Sequence, residues 1–145
     1  MIVIDTASER ETLAFARRLG EQAKAGDVYA LDGDLGAGKT VFAKGFAAGL
    51  GVPGTVSSPT FTIIQVHEGG RLPLYHMDVY RLSDEDELEA VGAEEMLRGD
   101  GVCLVEWACL VRGLLPPETT RITIEKDLAR GTDFRRIRVE YGSRA

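Results

Sequence analysis

Asparagine is missing altogether from the 145-residue sequence, and other scarcities bound what the chain can be. Cysteine occurs only twice, as Cys103 and Cys109, in a spacing that matches neither a metal knuckle nor a CxxC redox pair. Both are therefore expected to be reduced thiols, with Cys103 in the core. No run of about eighteen apolar residues exists to cross a membrane, and Met1 to Leu13 has no basic leader ahead of an apolar segment. A cytoplasmic protein is expected. Cations are outnumbered: the net charge of -6 argues against a surface that grips nucleic acid unaided, because such binding depends on neutralising phosphates. No internal repeat, linker or low-complexity tract interrupts the chain.

What is present suits one core. A chain of this length buries roughly two thirds of the surface that its unfolded form exposes. The 44% hydrophobic and 28% charged shares are ordinary for a globular protein. A single domain over residues 1–145 is expected. The charge is uneven, however. "SDEDELEAVGAEE" from Ser83 is acidic and reads as a solvated helix face, while "FRRIR" from Phe134 is basic and reads as a charged edge strand.

Periodicity predicts the elements. Ile2 to Ile4 reads as a strand, and Ser8 with Glu11 has capping-box spacing for a helix whose stripe is Leu13, Ala16, Leu19 and Ala23. Val28 to Leu31 is an uninterrupted apolar run, as in a parallel strand buried on both faces. Phe42, Ala43, Phe46, Ala47 and Leu50 keep helical spacing until Gly51 and Pro53. Phe61 to Glu68 and Arg71 to Asp78 flank Gly69-Gly70 as a hairpin, and Ser83 with Asp86 suggests a cap for an acidic helix. Val102 to Val105 is another apolar strand, ending on Glu106. Ile122 and Ile124, then Ile137, Val139 and Tyr141, alternate as half-buried antiparallel strands do. The fold class is α/β, a single three-layer domain of the P-loop NTPase kind with a mixed, mainly parallel sheet and antiparallel additions.

The chemistry concentrates in one turn. Gly33-Asp34-Leu35-Gly36-Ala37-Gly38-Lys39-Thr40 satisfies G-x-x-x-x-G-K-[ST] between a buried strand and a helix, the context that pattern requires. Its glycines let backbone N–H groups turn inward on a phosphate, and the helix that runs on through Val41 adds the partial positive charge of its N-terminus. Lys39 is expected to neutralise phosphate oxygens and the Thr40 hydroxyl to ligate Mg²⁺. Two carboxylates compete for a second role at such a site. Glu106 ends an apolar strand, the place of a magnesium-holding acid, and Asp78 follows "LPLY", where it could orient attacking water. His76 shares a strand face with Asp78 and is assigned a structural role. Thr60, in the loop "TVSSPTF", could sense the γ-phosphate as switch threonines do.

The missing asparagine removes the N-K-x-D motif of guanine readout, so ATP is the expected nucleotide. No acceptor pocket or arginine-bearing lid of a small-molecule kinase can be read. Among hydrolytic parts, candidates exist for water and for its positioning residue, but none for the extra positive charge that speeds such reactions.

"GDLGAGKT", "SSPTF", "YHMDVYRL" from Tyr75 and "LVEW" from Leu104 stand in an order and spacing that together resemble the bacterial TsaE family, whose members serve tRNA threonylcarbamoyladenosine formation. The resemblance covers nearly the whole chain. It implies a P-loop fold, ATP with Mg²⁺, and hydrolysis that is weak alone and stimulated by two partners, TsaB and TsaD. It implies contact with tRNA through that complex alone. By resemblance Lys39 and Thr40 hold phosphate and Mg²⁺, Glu106 is the second magnesium contact, Asp78 is needed for hydrolysis, Thr60 belongs to a switch-like loop, and Trp107 lies close to the nucleotide. Partner-activated ATPase is the leading expectation. A small-molecule kinase and a nucleotide-sensing module without turnover are the alternatives.

Overall fold

The computed structural model of the chain describes residues 1–33, 36–53, 64–79, 92–97 and 99–142. The elements run β1 (Ile2–Thr6), α1 (Glu9–Gln22), β2 (Val28–Asp32), α2 (Lys39–Gly49), β3 (Ile64–His67), β4 (Leu74–Asp78), α3 (Ala93–Leu97), β5 (Val102–Glu106), a 3-10 segment Ala108–Leu114, β6 (Thr120–Lys126), a 3-10 turn Leu128–Arg130, and β7 (Arg135–Glu140). Among the described residues the strands form one 7-stranded sheet in the order β1-β7-β6-β2-β5-β4-β3. Strands β6, β2, β5 and β4 are parallel. The other pairings are antiparallel, β7 and β1 beside β6, and β3 beside β4. This is the mixed α/β sheet expected from the sequence.

The apolar runs of β2 and β5 are buried on both faces because alternate residues serve different cores. Tyr29 and Leu31 join Leu104, Ile122, Ile137 and Val139 beneath α1 and α2. Val28 and Ala30 join Met77, Cys103 and Val105 against Ala93, Leu97, Val111 and Leu115 on the opposite face. Helical material on both sides of the sheet gives three layers. Phe42 and Phe46 of α2 are fully buried. Each contributes about 1.5–3 kcal/mol of burial, which seats α2 firmly on the sheet.

Helix α1 begins as its capping box requires. The Glu11 amide donates to Ser8 Oγ at 3.2 Å, and Glu11 Oε2 accepts from the Ala7 amide at 3.0 Å. Its buried face is Thr12, Phe15, Ala16, Leu19 and Gly20. Leu13, expected on the inward stripe, points outward; the α1 backbone there lies too close to Gly45 of α2 for a large side chain to fit between. The β3–β4 connection is wider than a two-glycine turn and is pinned to both helix ends. The Arg71 amide donates to the Leu50 carbonyl at 2.7 Å, and Arg71 Nη2 donates to the carbonyls of Gly20 at 3.0 Å and Ala23 at 2.8 Å. A cation there complements the negative end of α1.

The basic stretch is not an edge strand. β7 lies between β1 and β6, and its outward arginines are neutralised across the sheet: Arg136 pairs with Asp5 at 2.8 Å and Arg138 with Glu125 at 2.8 Å. Tyr141 falls just beyond β7 and is exposed. Of the stretch expected to form an acidic helix after Ser83, residues up to 91 lie outside the described residues and its end falls in α3, while Thr60 with residues 54–63, Asp34 and Leu35 also lie outside them.

Candidate active site

Parallel strands deliver their C-terminal ends to one edge of the sheet, and the turn into α2 leaves from that edge. Asp32, Asp78 and Glu106 end β2, β4 and β5 there, Asp78 and Glu106 standing as register partners. The turn is possible because Gly36 and Gly38 take φ values of 77° and 103°, a region that a side chain at either position would strain. Gly38 is also the residue that caps α2, and the cap carries no side-chain hydrogen bond. The first turn of α2 holds no acidic residue, whereas that of α1 holds Glu9 and Glu11. The amides at the start of α2 thus face a cleft with no carboxylate of their own helix, the arrangement that accommodates an anion.

That cleft, about 370 Å³, is lined by Gly36, Gly38, Lys39, Thr40, Val41, Asp78, Glu106 and Trp107, together with Glu9, Thr12, Asp133 and Arg135. Eight of the residues singled out from the sequence are therefore brought to one place. Gly33 and Ala37 line a neighbouring cleft of about 650 Å³ that shares Trp107. Lys39 is buried; its ammonium donates to the Gly33 carbonyl and lies 3.3 Å from the centre of the Trp107 ring. Trp107 reaches that ring position by adopting φ 61°, ψ 33°, a left-handed conformation costing about 1–2 kcal/mol in a non-glycine residue. The Trp107 amide donates to the Leu31 carbonyl at 3.0 Å, and the Cys109 amide donates to Asp32 Oδ1 at 3.1 Å. These bonds tie the turn after β5 to the end of β2.

Glu106 is buried, and His76 beside it is wholly enclosed. His76 Nε2 lies 2.6 Å from Glu106 Oε2. A carboxylate only accepts, so Nε2 carries the proton and donates it in this bond. The imidazole holds one oxygen of Glu106 and fixes the direction of the other. His76 was read from the sequence as structural; the structure gives it a specific duty, orienting the acid that ends β5. His67 lies behind it, ring centres 6.5 Å apart. Burial, and then the neighbouring His76, lowers the His67 pKa.

Arg135 reads from the sequence only as part of the basic stretch from Phe134, with no role at the site. The first residue of β7, it donates through Nε to the Ala37 carbonyl at 2.7 Å and so reaches into the glycine-rich turn. Lys126, at the end of β6, brings its ammonium within 3.1 Å of where a side chain on Gly36 would begin. No sequence signal marks these two, because their approach depends on strand order.

The Thr40 hydroxyl and the Glu106 carboxylate are oxygen donors of the kind a hard divalent cation takes. No group of three or more His, Cys, Asp or Glu able to hold a metal ion occurs among the described residues. A cation here would complete its shell with ligand oxygens and water. No helix among the described residues is long and apolar enough to cross a membrane.

Comparison with known proteins bears on the family and the fold. The family model described as threonylcarbamoyl adenosine biosynthesis protein TsaE matches residues 6–136. A tRNA threonylcarbamoyladenosine biosynthesis protein TsaE of Bacillus subtilis is 54% identical over 132 residues, 91% of this chain and 80% of the relative. The protein of the same name in Treponema pallidum is 44% identical over 117 residues, 81% of this chain and 86% of the relative. The crystal structure of Bacillus subtilis YdiB superposes with a TM-score of 0.83 at 45% identity, covering 98% of this chain and 86% of that one. By the family match, these relatives and the shared fold, the chain belongs to the TsaE family.

Proposed function

We propose that the protein is the ATP-binding, slowly hydrolysing component of a tRNA threonylcarbamoyladenosine machinery, acting with TsaB and TsaD homologues and meeting tRNA only within that assembly. The observation that carries this reading is the single cleft in which the glycine-rich turn, Lys39, Thr40, Asp78, Glu106 and Trp107 converge. Family membership supplies the pathway, since relatives bear its name.

In this reading the amides of the turn and of the start of α2 bind the phosphates, and Lys39 swings its ammonium from the Gly33 carbonyl to phosphate oxygens. Thr40 and Glu106 would hold Mg²⁺, which when bound neutralises charge on the phosphates. His76 keeps Glu106 aimed. Asp78 accepts a hydrogen bond from the attacking water and orients it in line. Trp107 closes the wall beside Lys39 and excludes solvent. Thr60 is assigned to the loop that responds to the γ-phosphate.

Phosphate release with the protein alone, then with TsaB and TsaD, tests the reading. The expected result is slow release alone and faster release with both partners; partners that neither bind nor change the rate would sink it. The division of labour is separately measurable. Glu106→Ala should weaken Mg-ATP binding more than Asp78→Ala does, while Asp78→Ala should chiefly lower turnover. Equal effects on affinity would refute that division.

A further inference from the structure

Arg135 is oddly placed for a residue concerned only with folding. Strand alternation puts it on the same face as the buried Ile137 and Val139, not with the solvent-facing Arg136 and Arg138. It therefore points over the start of α2, where the helix macrodipole is positive and a cation is unfavourable unless an anion lies between. Lys39 is already there. The charged residues that line the cleft are Lys39 and Arg135 against Glu9, Asp78, Glu106 and Asp133. Among the described residues Lys39 and Arg135 face four carboxylates in this lining, with Lys126 close to Gly36, so Arg135 is one of the cations within reach of a phosphate chain.

Its hydrogen bonds hold it ready. Nε donates to Ala37, and Nη1 donates to the carbonyls of Thr132 at 2.9 Å and Phe134 at 2.7 Å. All three bonds among the described residues use Nε and Nη1, so the guanidinium plane is fixed with Nη2 as its remaining edge. Every acceptor is a neutral carbonyl. The charge is thus oriented by the chain and neutralised by none of these partners.

We propose that Arg135 is a nucleotide-binding residue that lends its charge to the phosphate chain of ATP, supplied by the protein's own C-terminal hairpin. This rests on the nucleotide reading above. It names a source for positive charge that the sequence alone did not offer.

The test is calorimetric titration of Mg-ATP, Mg-ADP and AMP into the wild-type protein and into Arg135→Gln, Arg135→Lys and Arg136→Gln. Arg136 lies on the other face of β7 and pairs with Asp5, so Arg136→Gln alters net charge equally but not the cleft. Arg135→Gln is expected to weaken ATP about 10- to 100-fold, the range for a lost hydrogen bond between charged groups. ADP should lose less, and AMP little. Arg135→Lys should recover most of the affinity, and Arg136→Gln should match wild type. Equal losses for all three nucleotides, or Arg135→Lys as poor as Arg135→Gln, would reduce Arg135 to a prop for the Ala37 carbonyl and overturn the proposal. Should Arg135→Gln fail to fold by circular dichroism, Arg135→Lys still decides: a charge role keeps its preference for ATP over AMP, and a prop loses affinity for all three. A wild-type protein that binds no nucleotide would instead defeat the underlying reading.

Discussion

Replacing His76 by alanine should destabilise the protein substantially, because His76 orients a buried acid of the cleft. The side chain is fully buried and bonds to a buried carboxylate at 2.6 Å. A hydrogen bond to a charged group contributes about 1.5–3 kcal/mol. The volume left behind adds about 2 kcal/mol on the scale of buried large-to-alanine changes. Together, about 4 kcal/mol lowers the thermal midpoint by roughly 8–16 °C for a chain of this size. Denaturation followed by circular dichroism measures it. His76→Gln restores a donor and should recover part of the loss. A double-mutant cycle isolates the pair: in Glu106→Gln, which has no carboxylate charge to orient, His76→Ala should cost about 1–2 kcal/mol less. A loss below about 1 kcal/mol in the single variant, or additivity within about 0.3 kcal/mol in the cycle, would refute the claim that His76 orients Glu106.

Three further outcomes are expected. Gly49→Ala places a methyl group against the Arg17 carbonyl and should lower stability by about 1–3 kcal/mol in urea denaturation, whereas helix propensity alone would raise it by about 1 kcal/mol. Hydrogen bonding to Arg136, foremost, lowers the Asp5 pKa from its usual 3.8. A depressed carboxyl stabilises the fold above its unfolded pKa and loses that contribution as pH falls through the folded value, so the Asp5 carboxyl resonance should titrate below 3.8 and move upward in Arg136→Gln. Burial pushes the Cys103 thiol up to about 12, and its Sγ donates to the Met96 carbonyl at 3.2 Å. A thiol reagent at pH 8 should therefore modify the exposed Cys109, slowly because burial and Asp32 raise its pKa as well, and reach Cys103 only on unfolding.

Local features were legible in the sequence. The apolar run into a glycine turn into a helix is written in consecutive residues, and Glu106 could be placed because an apolar strand visibly ends on it. The capping box of α1 is likewise a matter of residues three apart. Features that depend on which strands become neighbours were not legible. His76 meets Glu106 only because β4 lies beside β5 in parallel register. Arg135 meets Ala37, 98 residues away in sequence, only because β7 inserts between β1 and β6. Composition made "FRRIR" look uniform, yet alternation sends Arg136 and Arg138 to ion partners and Arg135 to the cleft.

The site can also be located by asking where the chain departs from the rules it follows elsewhere. Helix α1 satisfies its own N-terminus with Ser8 and places acids in its first turn; α2 does neither and sets Lys39 and Arg135 there instead. Trp107 is the one non-glycine residue with positive φ among those described, and Glu106 is an acid buried where apolar side chains would pack at less cost. Each choice lowers stability, and each sits on the same 370 Å³ cleft. Departures scattered at random would be tolerated noise, but departures gathered on one cleft mark a place shaped by something other than folding. Around the start of α2 they gather backbone amides and oriented cations that a phosphate chain would satisfy, beside a buried carboxylate that suits a cation.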